Sequence, residues 1–362
     1  ASANNGYTFS HWQTAEGTPV SPNNPYSFTM PANNLNYTAV FTINTYQVAL
    51  GVTPENSGTT TGAGTYAFGE SVTITATANN GYTFVRWMDA TGAPVSNANP
   101  YTFNMPTHNV NYTAVFTSNP YQVAINISPV NAGTVTGAGT YAFGELVNLT
   151  ASANNGYTFS HWQTADGTPV SENNPYSFTM PANNINYTAV FTINSYRVSL
   201  TASPDYSGTV TGAGVYDFGQ PVTITATAYP GFTFSHWQDI TGAQISTVNP
   251  YTFNMPAINL TYTAVFTPNT YQVALNVTPA NSGTTTGANT YAFGESVTIT
   301  ATANNGFVFS HWMDLTGSPV STDNPYNFIM PAHNVNYTAV FTSNTYQVAL
   351  NVSPANAGTV TG

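Results

Sequence analysis

Apolar and polar residues alternate with a spacing of two along most of this chain, in short segments. Tyr46, Val48, Leu50 and Val52 share one face, and Gln47, Ala49 and Gly51 the other. Period two marks a half-buried strand. Pro54 ends that strand, because proline has no N–H for a ladder. The pattern returns in Val72, Ile74, Ala76 and Ala78, with Thr73, Thr75 and Thr77 facing out, where β-branched threonine suits an exposed strand face. It returns again in Tyr101, Phe103 and Met105, and in Val110, Tyr112, Ala114 and Phe116. Between these lie Gly58–Thr61, the turn Gly62-Ala63-Gly64, and Tyr66 with Phe68. Nowhere do ten residues keep a helical period, and only Pro106–Val110 has room for one helical turn. Short strands with short connections predict antiparallel pairing, five or six strands to a unit.

One stretch organises the rest. Asn79-Asn80-Gly81 predicts a tight hairpin turn with positive φ, and its counterpart Tyr229-Pro230-Gly231 has the sequence of a type II turn. The strand Tyr82-Thr83-Phe84-Val85-Arg86-Trp87 follows. Strict alternation puts Phe84 and Trp87 on opposite faces. A bulge would turn both rings inward, and this is the favoured reading; the alternative is a second apolar surface for Trp87.

The stretch occurs five times, with its tryptophan at Trp12, Trp87, Trp162, Trp237 and Trp312, a fixed period of 75 residues. A period of that size means a tandem array. The expected organisation is the C-terminal part of a repeat over 1–45, full repeats over 46–120, 121–195, 196–270 and 271–345, and the opening strands of another over 346–362. Junctions such as Thr42-Ile43-Asn44-Thr45 leave little room for rotation and predict a semi-rigid rod. The fold class is therefore all-β, a tandem array of small antiparallel β modules built as a sandwich or β-grasp-like. Residues 1–44 and 151–194 differ only at Glu16/Asp166, Pro22/Glu172 and Leu35/Ile185, which points to recent duplication.

Composition narrows the function. Charged residues are 4% of the chain, against a usual ~25%. Arg86 and Arg197 are the only basic residues besides histidine, and thirteen acids give a formal net charge of -11. Nucleic-acid binding needs basic residues to neutralise phosphates, so the composition argues against it, and likewise against docking on anionic membranes. There is no Cys, hence no disulfide, thiolate metal site or Cys nucleophile. No apolar run approaches the ~20 residues of a membrane span. The start at Ala1 carries no initiator Met and no signal-peptide pattern, so the expectation is a mature or excised piece with its targeting segments elsewhere.

Several motifs carry a family likeness. They run in order as Y-x-V-x-L, G-T-x-T-G-A-G-T-Y-A-F-G-E, V-T-I-T-A-T-A-N-N-G-Y-T-F-x-x-W, Y-T-F-x-M-P and N-Y-T-A-V-F. Together they resemble the divergent internalin B-repeat modules, also called Listeria–Bacteroides repeats, over the whole chain. The resemblance implies surface stalks and adhesins of bacteria and archaea, a β-grasp-like fold with a short helix, and no catalytic residues to carry over.

His11, His161, His236 and His311 precede the repeated Trp, with Arg86 in the second copy. They lie in different repeats, as do His108 and His333, so they cannot converge on one metal. Glu70, Glu145 and Glu295 share a position that Gln220 fills in the remaining copy; they read as solvated acids. Asp89, Asp239 and Asp314 align with Thr14 and Thr164, and no calcium loop or recurring carboxylate pair is present. The Gly-Ala-Gly run lacks the helix and lysine of a phosphate loop. Asn36, Asn111, Asn126, Asn148, Asn186, Asn259, Asn276, Asn336 and Asn351 open Asn-x-Ser/Thr sequons. No catalytic, cofactor or metal residue is assigned.

The leading reading is a non-enzymatic structural rod, the stalk or fibre of an extracellular or cell-surface adhesin or matrix protein. Its expected partners are copies of itself and surface glycans or host ligands. One alternative is a filament subunit joined by strand complementation, since residues 346–362 and 1–45 together supply 62 of the 75 residues of a repeat. Another is an array of carbohydrate-binding modules.

Overall fold

A computed structural model describes residues 1–355 and 357–361. The chain divides into two compact units, residues 1–192 and 193–362. The first holds strands Tyr7–Thr14, Pro19–Ser21 and Tyr37–Ile43 and two successive sets of eight strands, the last of which, Ile185–Ile193, ends one residue past its bound; the second holds two further sets of eight, and no strand forms among the described residues from 346 onward.

The repeat at 46–120 serves as the type. Its strands are β1 (Thr45–Thr53), β2 (Gly58–Thr61), β3 (Gly64–Ala67), β4 (Ser71–Ala78), β5 (Tyr82–Met88), β6 (Pro94–Ser96), β7 (Tyr101–Asn104) and β8 (Val110–Ser118). They form a five-stranded sheet, β3-β1-β8-β5-β6, and a three-stranded sheet, β7-β4-β2. The same eight strands recur in each complete repeat.

The all-β class and the period hold, with one correction to the antiparallel expectation. β1 and β8 pair in parallel, from Val48↔Val110 to Thr53↔Val115. Short connections force antiparallel pairing only between strands adjacent in sequence. Here the partners are the first and last strands of the repeat, and six strands intervene. The sheet order, with a parallel central pair and an antiparallel neighbour on either side, β3 beside β1 and β5 beside β8, is β-grasp-like. In place of a helix the small sheet covers one face, so the repeat is also a two-layer sandwich. Pro106–Val110 forms a bend and no helical turn; among the described residues there is no helix.

The hairpin expectation at Asn79-Asn80-Gly81 is corrected as well. β4 and β5 lie in different sheets, so this turn carries the chain from the small sheet to the large one. Tyr82 N donates to Asn79 O at 3.1 Å, and Gly81 has φ of 88° while Asn80 stays in the ordinary region. With φ positive only at the third residue, both Asn-Asn-Gly and Tyr-Pro-Gly make a type II turn.

Apolar faces of both sheets meet in one core. Val72, Ile74 and Ala76 of β4 face Val48, Trp87, Ala114 and Phe116, all at most 4% exposed, and Met105 adds to them. The bulge is present: Phe84 pairs with Phe116 and Arg86 with Val115, leaving Val85 as the extra residue. Both rings therefore point inward, with Phe84 and Trp87 5.7 Å apart. Trp87 lies opposite Ala114, whose small side chain leaves the volume that the indole fills. Gly58 is required on steric grounds, since a Cβ there would lie 2.4 Å from the Phe116 ring and 2.5 Å from Thr77 O. Asn99 extends the small sheet by imitation. Its Oδ1 accepts from Ala76 N at 2.9 Å and its Nδ2 donates to Ala76 O at 2.6 Å, as a neighbouring strand would.

Candidate functional site: the junction between repeats

At the junctions around Asn44, Asn119 and Asn269, three motifs distant in sequence meet. The first is the Gly turn before β5, the second the asparagine after β8, and the third the Tyr-Ala-Phe-Gly segment of the next repeat. The asparagine is the whole linker. Asn44 is the one residue between strands Tyr37–Ile43 and Thr45–Thr53, and Asn119 separates Ser118 from Pro120. The four-residue connection expected from sequence is therefore too long, because the strands run almost into one another.

Asn119 is fixed on both sides. Its N–H donates to Gly81 O at 2.8 Å, and its own carbonyl accepts from Phe143 N at 2.8 Å. Its side-chain Oδ1 accepts from the Thr83 hydroxyl at 2.6 Å. The Phe143 ring sits on Gly81, where a Cβ would lie 2.4 Å from the ring. It meets Tyr82 edge-on, at 5.3 Å and 82°. Gly81 thus serves two needs: a backbone with positive φ and a flat seat for a neighbour's ring.

The arrangement recurs. At the preceding junction Phe68 sits on Gly6 against Tyr7, with Asn44 bonded to Gly6, Phe68 and Thr8. In the second unit Phe293 sits on Gly231 against Phe232, 5.3 Å away, with Asn269 in the linker role. At Gly306 the turn and the bond from Asn344 N (2.7 Å) are unchanged, but nothing lies within 4 Å of a Cβ there.

Glu70, Glu145 and Glu295, read from sequence as solvated acids, brace the loop that presents this phenylalanine. Glu145 Oε2 accepts from Ala142 N at 2.8 Å while Glu145 N donates to Ala142 O at 3.0 Å, closing the turn around Phe143-Gly144. Gln220 does the same for Asp217, at 3.1 Å. An uncharged amide suffices, so the position needs an acceptor and not a charge. The loop is also tied to the Met-Pro strand: Gly144 N donates to Met180 O and Met180 N to Glu145 O.

The remaining candidates stay apart. His161 faces outward on the bulge, its Nδ1 2.9 Å from the Ser160 hydroxyl, and His11, His236 and His311 repeat that contact. Among the described residues no three His, Asp or Glu side chains gather as metal ligands. Asp89 Oδ1 accepts from Thr91 N, Thr91 Oγ1 and Ala93 N at 2.9, 2.6 and 3.0 Å. The Thr91 hydroxyl, followed by those backbone amides, lowers its pKa below the usual carboxylate value. Where Thr14 and Thr164 replace the aspartate, the acid moves to Glu16 and Asp166 and bonds that threonine across the same turn. Beside this turn lies an open groove of about 300 Å³ lined by Asp89, Thr91, His108, Asn109 and Tyr112, with a counterpart of about 290 Å³ at Asp314 and His333. The sequon residues Asn126 and Asn186 bond each other on the outer sheet face at 3.0 Å, as do Asn276 and Asn336 at 2.8 Å.

A family model described as the divergent InlB B-repeat domain matches residues 1–45, 48–120, 123–195, 198–270 and 273–345. Internalin H of Listeria monocytogenes is 31% identical over 222 residues, 60% of this chain and 36% of its own length. This chain thus spans about a third of that relative. Among solved structures, the Bacillus anthracis TIE protein aligns with a TM-score of 0.37 at 8% identity, over 82% of this chain and 73% of that one. The pilus adhesin SpaC from Lactobacillus rhamnosus GG aligns with a TM-score of 0.21 at 10% identity, over 66% and 46%.

Proposed function

Since the chain belongs to the divergent InlB B-repeat family, we propose that it is a non-enzymatic stalk segment of an extracellular, cell-surface adhesin or matrix protein. The repeats 46–120, 121–195, 196–270 and 271–345 are its units. The observation that carries this reading is the junction. A one-residue linker, bonded on both sides, and a ring seated on a glycine hold successive repeats in sequence order. A stalk needs that property, whereas a catalytic or ligand-binding array joined by flexible linkers does not. Small-angle scattering tests it. A repeat of 75 residues spans roughly 30 Å, so the chain is expected to reach about 150 Å with the cross-section of one repeat. A compact particle would overturn the reading.

A second reading, glycan contact along the stalk, rests on the recurring groove at Asp89, His108, Asn109 and Tyr112. It offers amide, carboxylate and aromatic groups together, the chemistry that holds neutral sugars. Absence of binding on a glycan array would remove it.

A further inference from the structure

The chain enters each complete repeat along β1 and leaves along β8, and these two strands are neighbours in parallel register. The pairing is Val48↔Val110 to Thr53↔Val115 in the first complete repeat. It recurs as Val123↔Ile185 to Ser128↔Val190, Val198↔Leu260 to Ser203↔Val265, and Val273↔Val335 to Thr278↔Val340. The end at which β1 begins is also the end at which β8 begins. Tension therefore draws β1 back toward the preceding repeat and β8 forward toward the next. The two strands are forced to slide along their common axis.

We propose that the parallel β1–β8 pair is a mechanical clamp, and that these repeats bear tensile load in shear. Sliding loads every inter-strand hydrogen bond of the pair at once. Peeling a hairpin from one end loads them singly, and each then breaks at low force. The one-residue linker passes load from β8 of one repeat directly to β1 of the next.

Side chains reinforce the same pair. Asn109, just before β8, accepts from Gln47 N of β1 at 2.8 Å, and Asn184, Asn259 and Asn334 do the same for Gln122, Arg197 and Gln272. On the outer face Asn126–Asn186, Thr201–Thr263 and Asn276–Asn336 bridge the strands at 2.8–3.0 Å. The repeat at 46–120 lacks that bridge, because Gly51 stands where the other repeats have Asn126, Thr201 and Asn276. It is the weakest clamp of the four.

The inference takes its physiological sense from the stalk reading but is tested separately, since scattering reports shape and force reports strength. The 362-residue chain is held by its ends at constant force, and the lifetimes of its four complete repeats are recorded. Each rupture should release ~250 Å of chain. Asn109→Ala should shorten the lifetime of one repeat about 2- to 10-fold, the effect of one hydrogen bond, and leave three unchanged. Gly51→Asn should lengthen the shortest lifetime, since a Cβ at Gly51 meets Thr113 only at ordinary contact distance, 3.5 Å. Thr73→Val, which breaks the Thr73–Thr102 bond between β4 and β7, should leave every lifetime unchanged. The clamp is overturned if Thr73→Val shortens a lifetime as much as Asn109→Ala, or if neither Asn109→Ala nor Gly51→Asn moves one.

Discussion

Replacing Gly81 by alanine separates the two demands on that residue, because Gly306 supplies a matched control. Both glycines have φ near 90°, 88° and 91°, so an L side chain costs about 1–2 kcal/mol at either site. Only at Gly81 does the new Cβ meet a neighbour, 2.4 Å from Phe143. The ring must leave its seat. Phe143 is half-buried, so its lost burial is worth about 1–2 kcal/mol, and the edge-on contact with Tyr82 about 1 kcal/mol more. The excess over Gly306→Ala is therefore about 2–3 kcal/mol, roughly a 30- to 150-fold change in a local opening equilibrium. Hydrogen exchange reads this directly. Asn119 N and Asn344 N donate to the carbonyls of Gly81 and Gly306, so each amide reports on its own turn. Gly81→Ala should reduce protection at Asn119 and Phe143 by that factor beyond the loss at Asn344 in Gly306→Ala. Equal losses in the two variants would refute the docking argument and leave backbone strain as the whole effect.

Three further outcomes follow from the same packing. Trp87→Ala empties a fully buried site and should cost its repeat about 3–5 kcal/mol, seen as loss of exchange protection over 46–120 while 271–345 stays protected. Asn99→Ala leaves Ala76 N–H and C=O without their partner and should cost about 2 kcal/mol; an unchanged exchange rate at the Ala76 amide would contradict it. Asp89 has its pKa lowered in the folded state, first by the Thr91 hydroxyl. Its stabilising bonds are therefore complete above the ordinary value of 3.8 and lost as pH falls through the lower folded value. The Thr91 and Ala93 amide resonances should titrate together below pH 3.8, and a midpoint at or above that value would sink the assignment.

The tryptophan strand shows how far sequence reading reaches. Phe84 and Trp87 violate strict alternation, which leaves a bulge or a second apolar surface, and the register shift between β5 and β8 selects the bulge. The glutamate position shows the opposite. Nothing local distinguishes a solvated Glu145 from one whose carboxylate closes the turn around Phe143-Gly144. Its role depends on where the loop is aimed. Phe143 itself is a further case: its partner Gly81 is 62 residues away, and no short-range pattern links a Y-A-F-G segment to the turn of the preceding repeat. A clue lay in the glycine shared by the Asn-Asn-Gly and Tyr-Pro-Gly turns, which the turn type alone explained.

By itself the sequence determined the period, the strands, most of the buried faces and the scarcity of basic residues, and it narrowed Trp87 to two readings, a bulge or a second apolar surface. Each of these follows from spacing or composition within a few residues. Only the tertiary structure decided that β1 and β8 run parallel, that β4 and β5 part into two sheets, that the linker shrinks to Asn119, and that Phe143 docks on Gly81. These depend on pairings across 36 to 62 residues. Local alternation says which face of a strand is buried. It cannot say which strand will lie beside it, because that choice is made by the packing of the whole repeat.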